Sequence, residues 1–341
     1  MTFPKEMTFP WKNLPLQEFT SSDNATLFYY KRLAKNKCLG TLLFLCGWSQ
    51  GPNNWSPSLL TNAHVKDNYD VYVLVMRGFK NVEDNFNNNV ARYAQDVVEF
   101  IKSKKLKRVT AVGHSMGASI FSYVISLCGE KYFDAYVFID QPLQVLKNPN
   151  KFGTDLDNYG STLSSDDLFS MYNTIGESAS KSAEKQSALQ QTFLTPQFIA
   201  ANPNTYIKIL AGTFGYNYKV ANEILFNHVC NNYEQILKNK AKKPALLIGG
   251  KVSTVPFQTV QFQEDFYEIP TVKIFEENEG GSHSMYLENY ELFNTTLNNF
   301  LKTNNNVLLR TQRRVGIETN RSIKKVGTAA LNAVVKAIIG S

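Results

Sequence analysis

The sequence is short of several things, and each shortage removes a class of protein. No run of about 18 apolar residues occurs, so no transmembrane helix is expected. Cysteine is scarce: Cys38, Cys46, Cys128 and Cys230 form neither a CxxC pair nor metal-ligand spacing. They read as free thiols, which fits a reducing, intracellular compartment. The stretch Met1 to Lys12 lacks the basic-then-apolar layout of a signal peptide, so a cytoplasmic location is expected. Acid is nearly missing beyond Leu301, where eight Lys and Arg face the single Glu318. Residues 1–301 carry 28 basic and 28 acidic side chains, so the net charge of +7 belongs to the tail. The body therefore offers no electrostatic ground for binding nucleic acid.

What is present is a recurrence of apolar runs of strand length. They are Thr26–Arg32, Gly40–Cys46, Val71–Met76, Val109–Val112, Ala135–Ile139, Ala245–Ile248 and Val272–Phe275. Continuous apolar strands are buried on both faces, as in a mostly parallel sheet. Helical spacing fills several gaps, at Val90–Lys104, Ala118–Leu127 and Tyr286–Leu301. This alternation predicts a doubly wound α/β sheet. Residues 143–243 break the rhythm. They open with an Asn-, Asp-, Gly- and Ser-rich loop, Asn148–Ser164, and continue with helical stretches such as Ala188–Phe193 and Tyr218–Asn227. The segment reads as a helical cap inserted between two strands.

The strongest chemical signal is Gly113-His114-Ser115-Met116-Gly117, between an apolar strand and a helix. That is the G-x-S-x-G nucleophile elbow in its required setting. A sharp strand-to-helix turn lifts a serine hydroxyl above the sheet, and the helix N-terminus favours developing negative charge. His283 is the candidate base, because a neutral imidazole can take the serine proton and return it to a leaving group. Of the other three histidines, His114 points from the elbow and reads as structural, while His64 and His228 have no motif around them.

Across residues 26–301 the chain resembles the α/β-hydrolase superfamily, as a divergent member of the capped serine esterase and cofactor-free haloperoxidase type. Cys46-Gly47-Trp48-Ser49 is similar to the family's His-Gly oxyanion loop, and Arg77-Gly78-Phe79 to its Asp-x-Arg-Gly-x-Gly loop. Gly250 to Pro256 is similar to the acid loop, and Gly281-Ser282-His283-Ser284 with Leu287-Glu288 to the histidine block. The chain departs from the pattern at Cys46, Lys80 and Ser253, where the family has His, Gly and Asp. The resemblance implies an α/β-hydrolase fold over 1–301, with a cap at about 143–243, and a hydrolase that uses no cofactor and no metal.

Ser253 cannot stabilise an imidazolium as a carboxylate does. Some family members place the acid after the preceding strand, which here ends in Asp140. Asp140 is therefore the candidate acid. The alternative is a carboxylate that caps the strand end, and Asp166 and Asp167 in the cap are weaker candidates. Two backbone N–H donors are needed for an oxyanion, and Met116 and Trp48 are placed to supply them. The Trp48 ring either lines an acyl pocket or packs.

The function these residues point to is hydrolysis of a carboxylic ester or related acyl bond of a small to medium, partly apolar substrate, through an acyl-enzyme. A non-hydrolytic member (acyltransferase, lyase or perhydrolase) and a catalytically impaired scaffold are the alternatives. Residues 302–341 form a polar linker and then an amphipathic pattern: Ile323, Val326, Ala330, Leu331, Val334, Val335 and Ile338 at helical spacing, with Arg321, Lys324, Lys325 and Lys336 largely off that stripe. A helix over 321–339 is expected to dock on an anionic membrane surface or a protein partner, or to pack on the body.

Overall fold

The computed structural model describes residues 9–80, 88–146, 163–237 and 241–304. The expected amphipathic helix over 321–339, and nearly all of the expected loop over 148–164, lie outside them. The chain divides into two compact units, Met1–Leu297 and Asn298–Ser341. The first holds the sheet, the cap helices and the candidate site. The second is described only over 298–304, which is helical.

Eight strands form one sheet in the order β1-β2-β4-β3-β5-β6-β7-β8. They are β1 Leu16–Thr20, β2 Thr26–Arg32, β3 Thr41–Leu45, β4 Asp70–Val75, β5 Val109–His114, β6 Phe133–Ile139, β7 Ala245–Gly250 and β8 Pro270–Phe275. The β1–β2 and β2–β4 pairings are antiparallel, and all others are parallel. The expected strands are all present. The sequence pattern misses β1, whose exposed edge shows no apolar run; only Phe19 of it is buried. The central strands read clearly because every residue of β3, β5 and β7 is buried.

Short helices α1 Ser56–Thr61 and α2 Ala63–Asn68 precede β4; α3 Val90–Ser103 precedes β5 and α4 Met116–Cys128 follows it. The cap contains α5 Ser165–Glu177, α6 Ala179–Thr192, α7 Pro196–Ala201, α8 Pro203–Thr213 and α9 Tyr218–Cys230, with α10 Tyr233–Ile236 leading back to the sheet. The helix α11 Phe257–Phe262 lies between β7 and β8. The single helix expected from Tyr286 is two: α12 Met285–Glu288, then α13 over 290–304, separated at Asn289. The stretch expected at Ala188–Phe193 is only the end of α6. Its earlier turns were illegible because its buried face is Ser182, Gln186 and Gln190 rather than an apolar stripe.

The fold positions the site in one way. The loops after β3, β5, β6 and β8 all leave the carboxyl ends of parallel strands, where ligands bind in open α/β sheets. Neighbouring β3 and β5 bring the oxyanion-loop candidate beside the elbow, and β6 brings Asp140 to the other side of it. Among the described residues no helix is long and apolar enough to cross a membrane.

Candidate active site

Ser115 sits between β5 and α4 with φ 51° and ψ −127°, a left-handed backbone that a serine adopts only when its surroundings impose it. The two flanking glycines explain how. A Cβ on Gly113 would stand 2.5 Å from the Ala118 amide nitrogen, and one on Gly117 would stand 2.7 Å from the carbonyl oxygens of Leu45 and Cys46. Both are impossible approaches, so the turn admits only glycine there. The Ser115 amide is itself committed, donating to the Ile139 carbonyl at 2.8 Å.

Asp140 and His283 meet although 143 residues separate them. His283 Nδ1 stands 2.7 Å from Asp140 Oδ2. A carboxylate only accepts, so Nδ1 carries the hydrogen and Nε2 presents its lone pair. Asp140 is fully buried and also has a positive φ, 52°. Burial pushes its carboxyl well above the usual range, while the Ser253 hydroxyl and the Gly250 amide pull the other way. The Ser253 hydroxyl donates to the same Oδ2. The residue standing where the family has an acid thus supports the acid on the neighbouring strand. Burial alone pushes His283 below its ordinary 6.5, which keeps the ring neutral at neutral pH.

Around this pair the remaining candidates fall into place. His114 bridges, with Nδ1 2.7 Å from Gln50 Oε1 and Nε2 2.7 Å from the His283 carbonyl. Gln50 Oε1 also accepts from the Gly47 amide at 3.0 Å. Gln50, which carried no sequence signal, therefore braces the loop where the family's histidine is replaced by Cys46. The Cys46 thiol contributes only a weak contact to the Gly51 carbonyl at 3.5 Å, and burial pushes it up to about 12, so it stays a thiol. A Cβ on Gly47 would stand 3.0 Å from Ser115 Cβ, which places this loop directly against the serine. Among the described residues the amides of Trp48 and Met116 donate to no protein acceptor, so both are free donors. The Trp48 ring is packed, its Nε1 donating to Ala221 of α9 at 2.7 Å. Ser115 Oγ makes no hydrogen bond among the described residues. Catalytic contacts of this kind are commonly long in free enzymes and tighten with substrate.

Four of the residues weighed in the sequence fall outside the site. His64 bonds with Asn68, and His228 with Tyr233. Asp167 closes a capping box with Ser164 at the start of α5, and Asp166 sits in that same exposed first turn. Arg77 is also structural, held by Asp96 and Asp23 at 2.6 and 2.8 Å. Glu288 is a residue whose role the sequence did not show. It accepts from Ser282 Oγ at 2.8 Å, and from the amide and hydroxyl of Thr195 at 2.6 and 2.8 Å. It thereby ties the histidine loop to the cap. Among the described residues no group of three or more His, Cys, Asp and Glu side chains is placed to hold a metal ion.

The alpha/beta hydrolase family model matches residues 42–296 of the chain. The chain belongs to the alpha/beta hydrolase family. No curated protein matches it significantly. Among solved structures this hydrolase is similar to a bromoperoxidase from Bacillus anthracis, at TM-score 0.70 and 18% identity, over 84% of this chain and 100% of that one. It is similar to an esterase from Exiguobacterium antarcticum, at TM-score 0.70 and 16% identity over 84% and 98%. An enol-lactonase from Burkholderia xenovorans LB400 gives TM-score 0.67 and 14% identity over 84% and 100%. At these identities the likeness is one of fold. Family membership supports an enzyme with hydrolase activity in general.

Proposed function

We propose that the protein is a serine hydrolase that cleaves a carboxylic ester or related acyl bond. The observation that carries this reading is the 2.7 Å contact between His283 Nδ1 and Asp140 Oδ2 beside the elbow serine. A neutral histidine anchored at Nδ1 by a buried carboxylate has one use for its Nε2 lone pair, which is to take a proton. Ser115 Oγ attacks the carbonyl carbon as its proton passes to Nε2. The carbonyl π electrons move onto oxygen, where the Trp48 and Met116 amides receive the charge. The carbon–oxygen bond to the alcohol then breaks, and Nε2 returns the proton to the leaving oxygen. Water repeats the sequence on the acyl-enzyme and frees the acid and Ser115.

The test is labelling by a fluorophosphonate together with release of acid from a panel of esters. Labelling at Ser115, lost along with turnover in Ser115→Ala, is expected. Absence of labelling in a folded protein, or a loss of only a few-fold in Ser115→Ala, overturns the reading. For the basic tail, which lies almost wholly outside the described residues, we infer docking of the 321–339 segment on an anionic membrane surface. The separation of its lysines and arginines from its apolar stripe supports this.

A further inference from the structure

The helix α6 is odd for a buried element. Its inward positions are Ser182, Gln186 and Gln190, four residues apart and so on one face, and they are 1%, 3% and 1% exposed. Gln186 Nε2 donates to Ser182 Oγ at 2.7 Å, the one hydrogen bond the stripe makes within itself. Gln186 Oε1 and Gln190 Nε2 are buried with no partner among the described residues. Buried amides are almost always paired, so an acceptor and a donor left open on adjacent turns require an explanation.

The position of the stripe supplies one. The amide of Phe193, three residues beyond Gln190, donates to the Gln190 carbonyl at 3.2 Å. The Phe193 ring lies 4.6 Å from the His283 ring, and the Phe193 carbonyl accepts from the Ser284 amide at 3.0 Å. The stripe therefore runs out over the histidine. The helix α6 packs on α5 and also neighbours α8, whose Gly212 lies against Gly51 of the oxyanion-loop segment. Gln190 and Gln186 thus lie about one and two helical turns from the residue that packs on His283, the imidazole that on the proposed mechanism hands its proton to the departing oxygen.

We propose that Gln186 and Gln190 form a leaving-group subsite for an alcohol that carries a neutral hydrogen-bonding group with both donor and acceptor, a hydroxyl or a secondary amide. The stripe has no charge of its own, which disfavours an ionised alcohol. A site built to pair such a group discriminates against an alkyl isostere, because the isostere leaves both glutamines unpaired. This inference rests on the serine hydrolase reading.

The test compares the butanoate esters of N-acetylethanolamine and of 4-methylpentan-1-ol, which match in shape and differ in the amide. The wild-type enzyme is expected to favour the amide ester in kcat/KM by about tenfold or more, as loss of one or two neutral hydrogen bonds implies. Gln190→Leu and Gln186→Leu should each reduce that ratio severalfold. The wild-type comparison needs no variant, so a misfolded variant does not blunt it. A ratio near one, or a ratio unchanged in both folded variants, overturns the proposal. Calorimetry of the two esters on Ser115→Ala separates the readings. If neither ester is cleaved by wild type but the amide ester still binds tighter, by a margin lost in Gln190→Leu, the hydrolase reading fails and the subsite stands. Equal binding of the two overturns the subsite.

Discussion

Two helices of the cap are buried by opposite means. The helix α9 sinks Val220, Ala221, Ile224, Leu225 and Val229, several of them into the apolar cluster that includes the sheet. The helix α6 sinks Ser182, Gln186 and Gln190, and the chain just beyond it is held by polar bonds: Ser284 to Phe193, and Thr195 to Glu288. Fully burying an aliphatic side chain contributes about 1.5–3 kcal/mol, whereas a neutral hydrogen bond nets about 0.5–1.5 kcal/mol because water replaces it. Lifting α9 would expose apolar surface that water does not repay. Lifting α6 exchanges protein bonds for water bonds. The apolar half of the cap is thus architecture, and the polar half is the one proposed above to meet a substrate.

That contrast can be tested against the chemistry beneath it. The largest expected effect lies below the cap altogether. Asp140→Asn should lower kcat by roughly 10³ to 10⁴ while leaving the fold in place, because the amide no longer fixes the His283 tautomer. A loss under tenfold would return Asp140 to the role of a strand cap. Next comes the apolar half. Ile224→Ala should cost about 2–5 kcal/mol of stability, read as a lowered denaturation midpoint, with kcat/KM of the folded fraction little changed.

Glu288→Ala should cost less stability, about 1–3 kcal/mol for unpairing buried donors, yet it should lower kcat, because Ser282 and Thr195 lose their shared acceptor beside His283. If Ile224→Ala altered kinetics and Glu288→Ala altered only stability, the division of labour would be reversed. A smaller effect concerns pH. The base works unprotonated, and burial lowers His283, so kcat/KM should persist as pH falls through 6.5 and decline only below it. In Ser253→Ala, a carboxylate deprived of a donor holds its proton more readily. The acid limb should therefore move to higher pH, with a few-fold loss at neutral pH. A profile that does not move would mean the Ser253 contact is idle. The smallest effect is expected from removing residues 305–341. Turnover of a soluble ester should stay nearly constant, while sedimentation with anionic vesicles is lost and, in the full chain, weakens with salt. A lowered melting temperature would instead mark the tail as part of the folded body.

The same contrast decides what was legible in the sequence. Strands such as Leu42–Leu45 announce themselves because burial on both faces leaves no room for a polar residue. Ser115 and His283 are legible because the backbone demands glycine around one and the loop before α12 frames the other. Asp140 became a candidate only through the resemblance, since some family members place the acid after that strand and Ser253 stands in the usual place. Gln50 and the inner face of α6 were not legible at all. Buried amides leave no periodic apolar trace, and their partners lie far away in the chain, as Gln50 does from His114. Edge strand β1 escaped for the opposite reason, being too exposed to look like a strand.

The shared grip of Ser253 and His283 on one oxygen of Asp140 also bears on how such a site changes over generations. An aspartate at position 253 would put a second carboxylate beside that of Asp140. Like charges at that range cannot both ionise, so one would retain its proton and donate to the other, much as the serine hydroxyl does now. A doubly acidic form is therefore a workable intermediate rather than a dead end. With Asp140 as the acid, as proposed, that role can pass from one strand to its neighbour by single substitutions, without any generation in which the histidine stands unsupported.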